Sequence, residues 1–481
     1  MAAQSFGSRL AAVLAGELVN KGCVIVAFMW LARTLDPAAY GEVEWALSLT
    51  MLFTLVADAG LTTWATAQIA AEPAKGPVLV GQVGWLRAFL VAPTSLVLIV
   101  VAVSYGGRAG SALAIYGLSL WLTPFLLQYL FNGLLRTAWA ALGNAIRGFT
   151  FVIAVILLVP ADSSPSRVAI AEILGAGALA LSNVIVFRKV FGFAVPVRRG
   201  RDHLVSVLKQ SWRIGATEVT WGAHWYAGLI LLGYLATSTE VAWHSASLRL
   251  VMALHTGVWL YLYVLLPNLA RVVTRDPPAW AEMVSESVRM TSWIGAGIAL
   301  VGTLGAEPIL TTVFGPPFVA ATPTFRAAAW VIPTAWLSGH IRYSLIAAQQ
   351  QQKDYHAALI GSFTTIGLTL LLVPFLRSTG AGLALLGGTI ANAVAAWGLA
   401  IGVLPRCAYF RTVRTTLLCC VTCLTLGFIA TPSVGALRAT VLAATSFAGL
   451  AALAERERLG RLRTVFVDAL RPRIGRADDE A

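Results

Sequence analysis

Stretches of roughly 20 predominantly apolar residues recur along almost the whole chain, with only short polar breaks between them. A run of that length, coiled as a helix, matches the hydrocarbon thickness of a bilayer. Inside lipid the backbone finds no water to bond, so each run must satisfy its own N–H and C=O groups. Composition agrees: 58% of the 481 residues are hydrophobic and only 12% are charged, and the mean hydropathy of +0.77 lies far from a soluble domain. The chain therefore reads as an all-α polytopic membrane protein, with about 14 transmembrane helices in two lobes around a central cavity.

Six helices are expected near 10–32, 42–66, 80–104, 111–134, 141–160 and 168–187. Eight more follow near 212–236, 242–267, 290–313, 324–348, 356–376, 380–404, 413–431 and 435–454. The longest basic internal loop, with Val195-Pro196-Val197-Arg198-Arg199-Gly200-Arg201, divides the two sets. The expected organisation is an N-terminal six-helix lobe over 1–190, a basic cytoplasmic linker over 191–211 and a C-terminal six-helix lobe over 212–404. Two additional transmembrane helices at 405–455 and a basic cytoplasmic tail at 456–481 complete it. The alternation of Arg with Leu459, Leu462, Val465, Phe466 and Leu470 in that tail suits an amphipathic helix on an anionic leaflet.

Most of the 35 lysines and arginines fall in the loops of one side, among them Arg87, Arg147, Arg271 and Lys353. Short loops rich in them stay cytoplasmic, which places both termini inside the cytoplasmic (inner) membrane. The net charge of +13 is what this topology produces by itself, and no nucleic-acid partner is expected. Residues 1–34 lack a short apolar core followed by a small-residue cleavage site, so the first helix is expected to be retained.

Glu17, Lys21, Glu44, Asp58, Glu218 and Arg249 interrupt stretches that otherwise read as spanning helices. A charge at the bilayer centre costs roughly 2.5 to 3.5 kcal/mol on insertion scales, so it faces a cavity, a partner or a substrate path. Glu17 and Lys21 stand four apart with the acid first, the favourable order for an intrahelical pair. Lys21 has a second reading, in which it faces the cavity and meets a phosphate as a point charge.

Glu44, Ser48, Met51, Leu55, Asp58 and Thr62 recur at helical spacing and form one face of the second helix. Asp58 reads either as a coupling site for a cation or proton, or as a partner of a neighbouring residue and a backbone cap. Glu44, near the outer boundary, reads as solvated. Arg249 is the foremost candidate for a phosphate contact, because a guanidinium grips phosphate bidentately and stays charged. Its structural alternative is a pair with Glu218 on the preceding helix. Trp221 and Trp225, four apart after Glu218, suit stacking on sugar rings, or equally an interfacial aromatic belt.

Catalytic signatures are absent from the sequence: no nucleotide-binding loop, no paired acids in a large outer loop, and Gly-rich runs that suit close helix approach. No enzyme activity, cofactor or metal site is expected. Cys419 and Cys423 share a helix face but lack the third and fourth ligands a metal needs.

The run Trp30-Leu31-Ala32-Arg33-Thr34-Leu35-Asp36-Pro37-Ala38-Ala39-Tyr40-Gly41, with Leu55-Val56-Ala57-Asp58-Ala59-Gly60-Leu61, resembles the opening hairpin of polysaccharide flippases. These are the Wzx-like, O-antigen and lipid-linked-oligosaccharide branch of the multidrug/oligosaccharidyl-lipid/polysaccharide exporter superfamily. Val241-Ala242-Trp243-His244-Ser245-Ala246-Ser247-Leu248-Arg249-Leu250, Leu266-Pro267-Asn268-Leu269-Ala270-Arg271 and Val313-Phe314-Gly315-Pro316-Pro317-Phe318 extend the resemblance over roughly residues 10–405. The resemblance implies a V-shaped, two-lobed fold. It also implies translocation of a polyprenyl-diphosphate-linked glycan by alternating access, with membrane lipids, a glycan polymerase and glycosyltransferases as partners. One position departs: family members often carry Asp in the seventh helix before Leu-Leu-Gly, whereas this chain reads Ala227-Gly228-Leu229-Ile230-Leu231-Leu232-Gly233. A multidrug exporter of the same superfamily and a membrane-embedded glycosyltransferase or ligase are the rival readings.

Overall fold

The computed structural model describes residues 6–161, 163–192, 201–405 and 409–456, with side chains described from Gly16 onward except those of 17–18, 201–203, 263 and 409–411. Residues 193–200 of the expected linker and nearly all of the tail lie outside that set. The described residues form helices and no strand. The first half contains α1 (Phe6–Thr34), α2 (Pro37–Asp58), α3 (Leu61–Ala71), α4 (Gly76–Tyr105), α5 (Gly107–Ser119), α6 (Gln128–Gly133), α7 (Thr137–Leu158) and α8 (Pro165–Phe191). The second contains α9 (Arg201–Leu235), α10 (Ser238–Val272), α11 (Pro277–Leu304), α12 (Ala306–Phe314), α13 (Thr322–Ala329), α14 (Val331–Ala347), α15 (Gln351–Ala400), α16 (Tyr409–Val434) and α17 (Ala436–Ala454).

Local chemistry explains the boundaries. Asp36 caps α2, accepting a 2.7 Å bond from the Ala39 N–H, with Pro37 at the first helical position. Asp276 caps α11 in the same way at 3.1 Å. Helix α2 stops at Ala59 and Gly60, both left-handed (φ 47° and 75°), and the chain turns by 43° into α3. A sharper 79° turn at Gly305 separates α11 from α12. The 50-residue α15 is broken at Arg377, where φ is 50° and ψ −129°, three residues after Pro374.

Among the described residues, seven helices are long and apolar enough to cross a membrane, or up to ten if each bent pair is one span. The expected count of about 14 is not reproduced by that test. Two physical reasons are visible: the charges of α9 dilute its apolar run, and α15 counts once although Arg377 divides it near the expected boundary between 356–376 and 380–404.

Within the first half α7 packs on α1 and α8, and α5 on α8 and α4; within the second, α15 packs on α9 and α14, and α11 on α14 and α16. Helix α2 bridges the halves by lying against both α9 and α10. At its start the absent side chain of Gly41 lets its backbone meet the Ser238 carbonyl of α10. At its end Ala59 meets Gly215 of α9, again backbone to backbone. A Cβ at Gly41 would overlap the Ser238 oxygen, so Gly41→Val should lower stability in detergent by about 1 to 3 kcal/mol, the range for overpacking, as read by thermal unfolding. An unchanged transition would show that the seam gives way freely.

Candidate functional site

Between the halves lies a cavity of about 620 Å³, walled by α1, α2, α9, α10, α12 and α14. Four residues singled out in the sequence as substrate contacts, Lys21, Arg249, Trp221 and Trp225, all line it, as does Glu218. They come from α1, α10 and α9 because each occupies the inward face of a helix whose opposite face meets lipid or neighbouring helices. Lys21 projects from α1 and its Nζ donates to Thr256 Oγ1 of α10 at 2.8 Å, spanning the two halves. The side chain of Glu17 lies outside the described residues, so its pairing with Lys21 is not seen.

Arg249 is held on two sides. Its Nε donates to Glu44 Oε1 of α2 at 2.6 Å, and its guanidinium carbon stands 3.1 Å from the centre of the Phe28 ring on α1. This corrects two expectations. Glu44 is not solvated: its residue is only 4% exposed, because α2 carries it inward to Arg249 rather than to the membrane boundary. The partner of Arg249 is therefore Glu44 and not Glu218, which instead accepts a 2.8 Å bond from Thr63 of α3. Arg249 lines the cavity and Glu44 does not.

Trp221 and Trp225 stack in a tilted pair with centroids 5.8 Å apart, and Trp225 lies 5.4 Å from the His255 ring. Sequence reasoning missed His255 and Arg342 as lining residues. Arg342 pairs with Asp354 at 3.3 Å across the α14–α15 turn. Its position seven residues before the Gln349–Gln352 connection was the available signal, since a cation at a helix end near a polar turn invites a partner there.

Asp58 is not among the cavity-lining residues. It sits at the α2–α3 bend, accepting from the Thr62 backbone N–H at 3.1 Å and the Thr62 hydroxyl at 2.8 Å. Arg87 of α4 donates to it from Nε at 3.0 Å and Nη2 at 2.5 Å. Arg87 also donates to the carbonyls of Thr123 and Leu126 at 2.9 and 3.0 Å. Expected among the cytoplasmic loop cations, Arg87 is instead buried at 3% exposure. Three segments converge on it, and a loop residue could not serve them. Among the described residues no group of three His, Cys, Asp or Glu is placed to hold a metal ion.

The described residues form an all-helical fold of two halves with α2 lying between them. Similar solved structures share it. The lipid II flippase MurJ in an inward closed conformation superposes with a TM-score of 0.73 at 12% identity, covering 93% of this chain and 99% of that one. An inward-facing multidrug resistance MATE family transporter gives 0.65 at 11% identity, covering 81% and 97%. A MOP superfamily transporter from Pyrococcus furiosus gives 0.59 at 12% identity, covering 82% and 93%. No curated protein sequence gave a significant match. The family described as "Polysaccharide biosynthesis protein" matches residues 9–273, more than half of the chain. The chain belongs to the polysaccharide biosynthesis protein family.

Proposed function

We propose that the protein is a flippase that moves a polyprenyl-diphosphate-linked glycan across the cytoplasmic membrane by alternating access, for surface polysaccharide biosynthesis. In this reading the lobes are residues 1–190 and 212–404, the helices of 405–455 are additional, and both termini are cytoplasmic. The observation that carries it is the placement of Lys21 and Arg249 on walls of one cavity contributed by opposite halves. A diphosphate is a compact dianion, and a lysine with an arginine gives it a point charge and a planar fork. Both cations face the cavity, so a bound diphosphate would touch the two halves at once.

Arg249 offers more N–H donors than the Nε–H that Glu44 accepts, so phosphate oxygens have donors to engage before Glu44 is displaced. Lys21 would exchange the Thr256 hydroxyl for a phosphate oxygen, a neutral acceptor for a charged one. The glycan would then lie against Trp221 and Trp225, whose rings present apolar faces to sugar C–H groups. Glu17, Glu218 and Asp58 keep positional or coupling roles in this scheme. The membrane lipids supply the second phase for the polyprenyl tail, and the glycosyltransferases and polymerase act before and after translocation.

The test uses protein reconstituted in vesicles. A polyprenyl-diphosphate glycan should cross the bilayer in a protein-dependent manner, and Lys21→Ala should slow it by about ten-fold, the factor for losing one charged contact worth about 1.4 kcal/mol. Movement of a cationic drug but of no lipid-linked glycan would overturn the reading in favour of a multidrug exporter.

A further inference from the structure

Among the described residues Lys21, Arg249 and Arg342 are the cations that line the main cavity, and the two arginines are held differently. Arg249 donates its Nε–H to Glu44 at 2.6 Å, a full hydrogen bond to an acid that does not line the cavity. Arg342 Nε stands 3.3 Å from Asp354 Oδ2 and yet has no hydrogen-bond partner. The charges are within ion-pair reach, but the N–H is not aligned with the oxygen. Such a pair keeps only its screened attraction, and with side chains 38% and 13% exposed it contributes little by itself. Arg342 is loosely tethered where Arg249 is fixed.

The surroundings of the pair differ too. A side chamber of about 70 Å³ adjoins the main cavity between α9, α10, α14 and α15. Arg342 lines both spaces, whereas Asp354 lines the chamber alone. An anion in the cavity and the Asp354 carboxylate therefore reach one guanidinium from different sides. A chamber of that volume has room for about two waters at their share of the liquid, and its wall includes the partly exposed Ser338 and Asn392. Water there solvates Asp354 when Arg342 moves away. Losing Arg249 would instead strand Glu44, whose side chain is 5% exposed.

Arg342 and Asp354 also belong to the same half. The α14–α15 turn that joins them is tight, with Gln349 left-handed at φ 59° and the Gln350 N–H bonded to the Leu345 carbonyl at 2.8 Å. When two halves rock against each other, a pair within one half travels as a unit. The bonds of Lys21 to Thr256 and of Arg249 to Glu44 join different halves and have no such guarantee. Asp354 stays within reach of its arginine in either access state.

We infer that Asp354 is a positioning residue for substrate release, competing with the bound diphosphate for Arg342 and recovering the guanidinium as the substrate leaves. The inference rests on the flippase reading and deepens it. A cavity lined by three cations risks holding a dianion too firmly, and binding that is merely tight speeds no later step. Lys21 gives up only a neutral hydroxyl to bind phosphate, and Arg249 keeps Glu44 while its other N–H groups engage. Arg342 is the cation that a phosphate must take from a charged rival.

The full chain in lipid nanodiscs is titrated with polyprenyl-diphosphate-glucose, and crossing of the same lipid is followed in reconstituted vesicles. Asp354→Asn, close in size and uncharged, should tighten binding about ten-fold, or about 1.4 kcal/mol. It should lower the maximal rate of crossing by about the same factor, because release has lost its returning acid. Asp354→Glu should bring both values to within about two-fold of the wild type. The tightening should require Arg342: in an Arg342→Gln background, Asp354→Asn should change affinity by less than about two-fold. A carboxylate that only braced the turn would give the opposite sign, weaker binding together with a lower thermal transition. Unchanged or weaker binding by Asp354→Asn, tightening that persists without Arg342, or tightening with an undiminished maximal rate would each overturn the role of Asp354 and leave the flippase reading standing. No binding of the lipid by the wild type would overturn both.

Discussion

Replacing Arg249 by Ala should abolish export of the surface glycan while the protein remains in the membrane, a loss of at least about a hundred-fold in displayed glycan. Truncating one partner of a buried charge pair costs about 2 to 5 kcal/mol, partly because the other charge is stranded. Here the stranded group would be Glu44, whose side chain is 5% exposed. The single variant therefore mixes a lost phosphate contact with an unpaired acid. Arg249→Met combined with Glu44→Gln separates them, because a neutral pair of similar volume restores stability when both charges leave together. The double variant should recover the wild-type thermal transition and still display no glycan. Normal display in either variant would remove Arg249 from the substrate path.

The second large effect is expected at Asp58 and Arg87. Arg87→Ala should destabilise the protein by about 3 to 5 kcal/mol, measured by unfolding in detergent, because Asp58 is left charged and three segments lose their common donor. Arg87 ties the α2–α3 bend to α4 and to the Thr123–Leu126 turn through four bonds of 3.0 Å or less. Asp58→Asn keeps an acceptor for Thr62 and weakens only the charge–charge part, so its loss should be smaller, about half. A coupling role would give another pattern: Asp58→Asn protein of normal stability whose transport no longer responds to an imposed ion gradient. That result would make the bend an ion site instead of a brace.

Much of this was legible because membrane burial is a local property. A charge within an apolar run announces an inward face wherever it occurs, which made Lys21 and Arg249 candidates for a polar interior; Trp221 and Trp225 carry no such signal, since their spacing suits an interfacial belt equally. Pairing is not local. Glu44 and Arg249 are 205 positions apart, and nothing in either helix says which cation α2 will meet. Glu44 stood on the correct stripe of α2 but was assigned to the water because it lies near the start of the helix. Arg87 was misplaced for the converse reason: a cation close to a helix start resembles a topology signal until a buried acid claims it.

The bends were hidden as well. Ala59-Gly60, Gly305 and Arg377 interrupt runs that hydropathy reads as continuous or cuts only approximately. Hydropathy records whether a segment suits lipid, not the direction of its axis. Arg377 in particular adopts a backbone conformation rarely taken by a side-chain-bearing residue, and it is anchored by Glu240 at 3.7 Å while Glu240 also accepts from the Ser378 N–H at 3.0 Å.

The two backbone-to-backbone seams at Gly41 and Gly215 bear on the energy scale of switching. Contacts made by main chain without interlocking side chains carry only dispersion, about 0.1 to 0.2 kcal/mol for each atom pair, and no rotamers need to unlock before they part. A seam of that kind is shallow and smooth. Between the seams α2 interlocks with α9 through side chains, Trp45 against Tyr234 and Leu55 against Gly222, so the seams are the two places where α2 and its neighbours can part without a change of rotamer. Polar bonds cross the halves as well, among them Lys21 with Thr256, Arg249 with Glu44, Thr63 with Glu218 and Tyr105 with the Gly233 carbonyl, and the first two involve residues that a diphosphate would address in the proposed function.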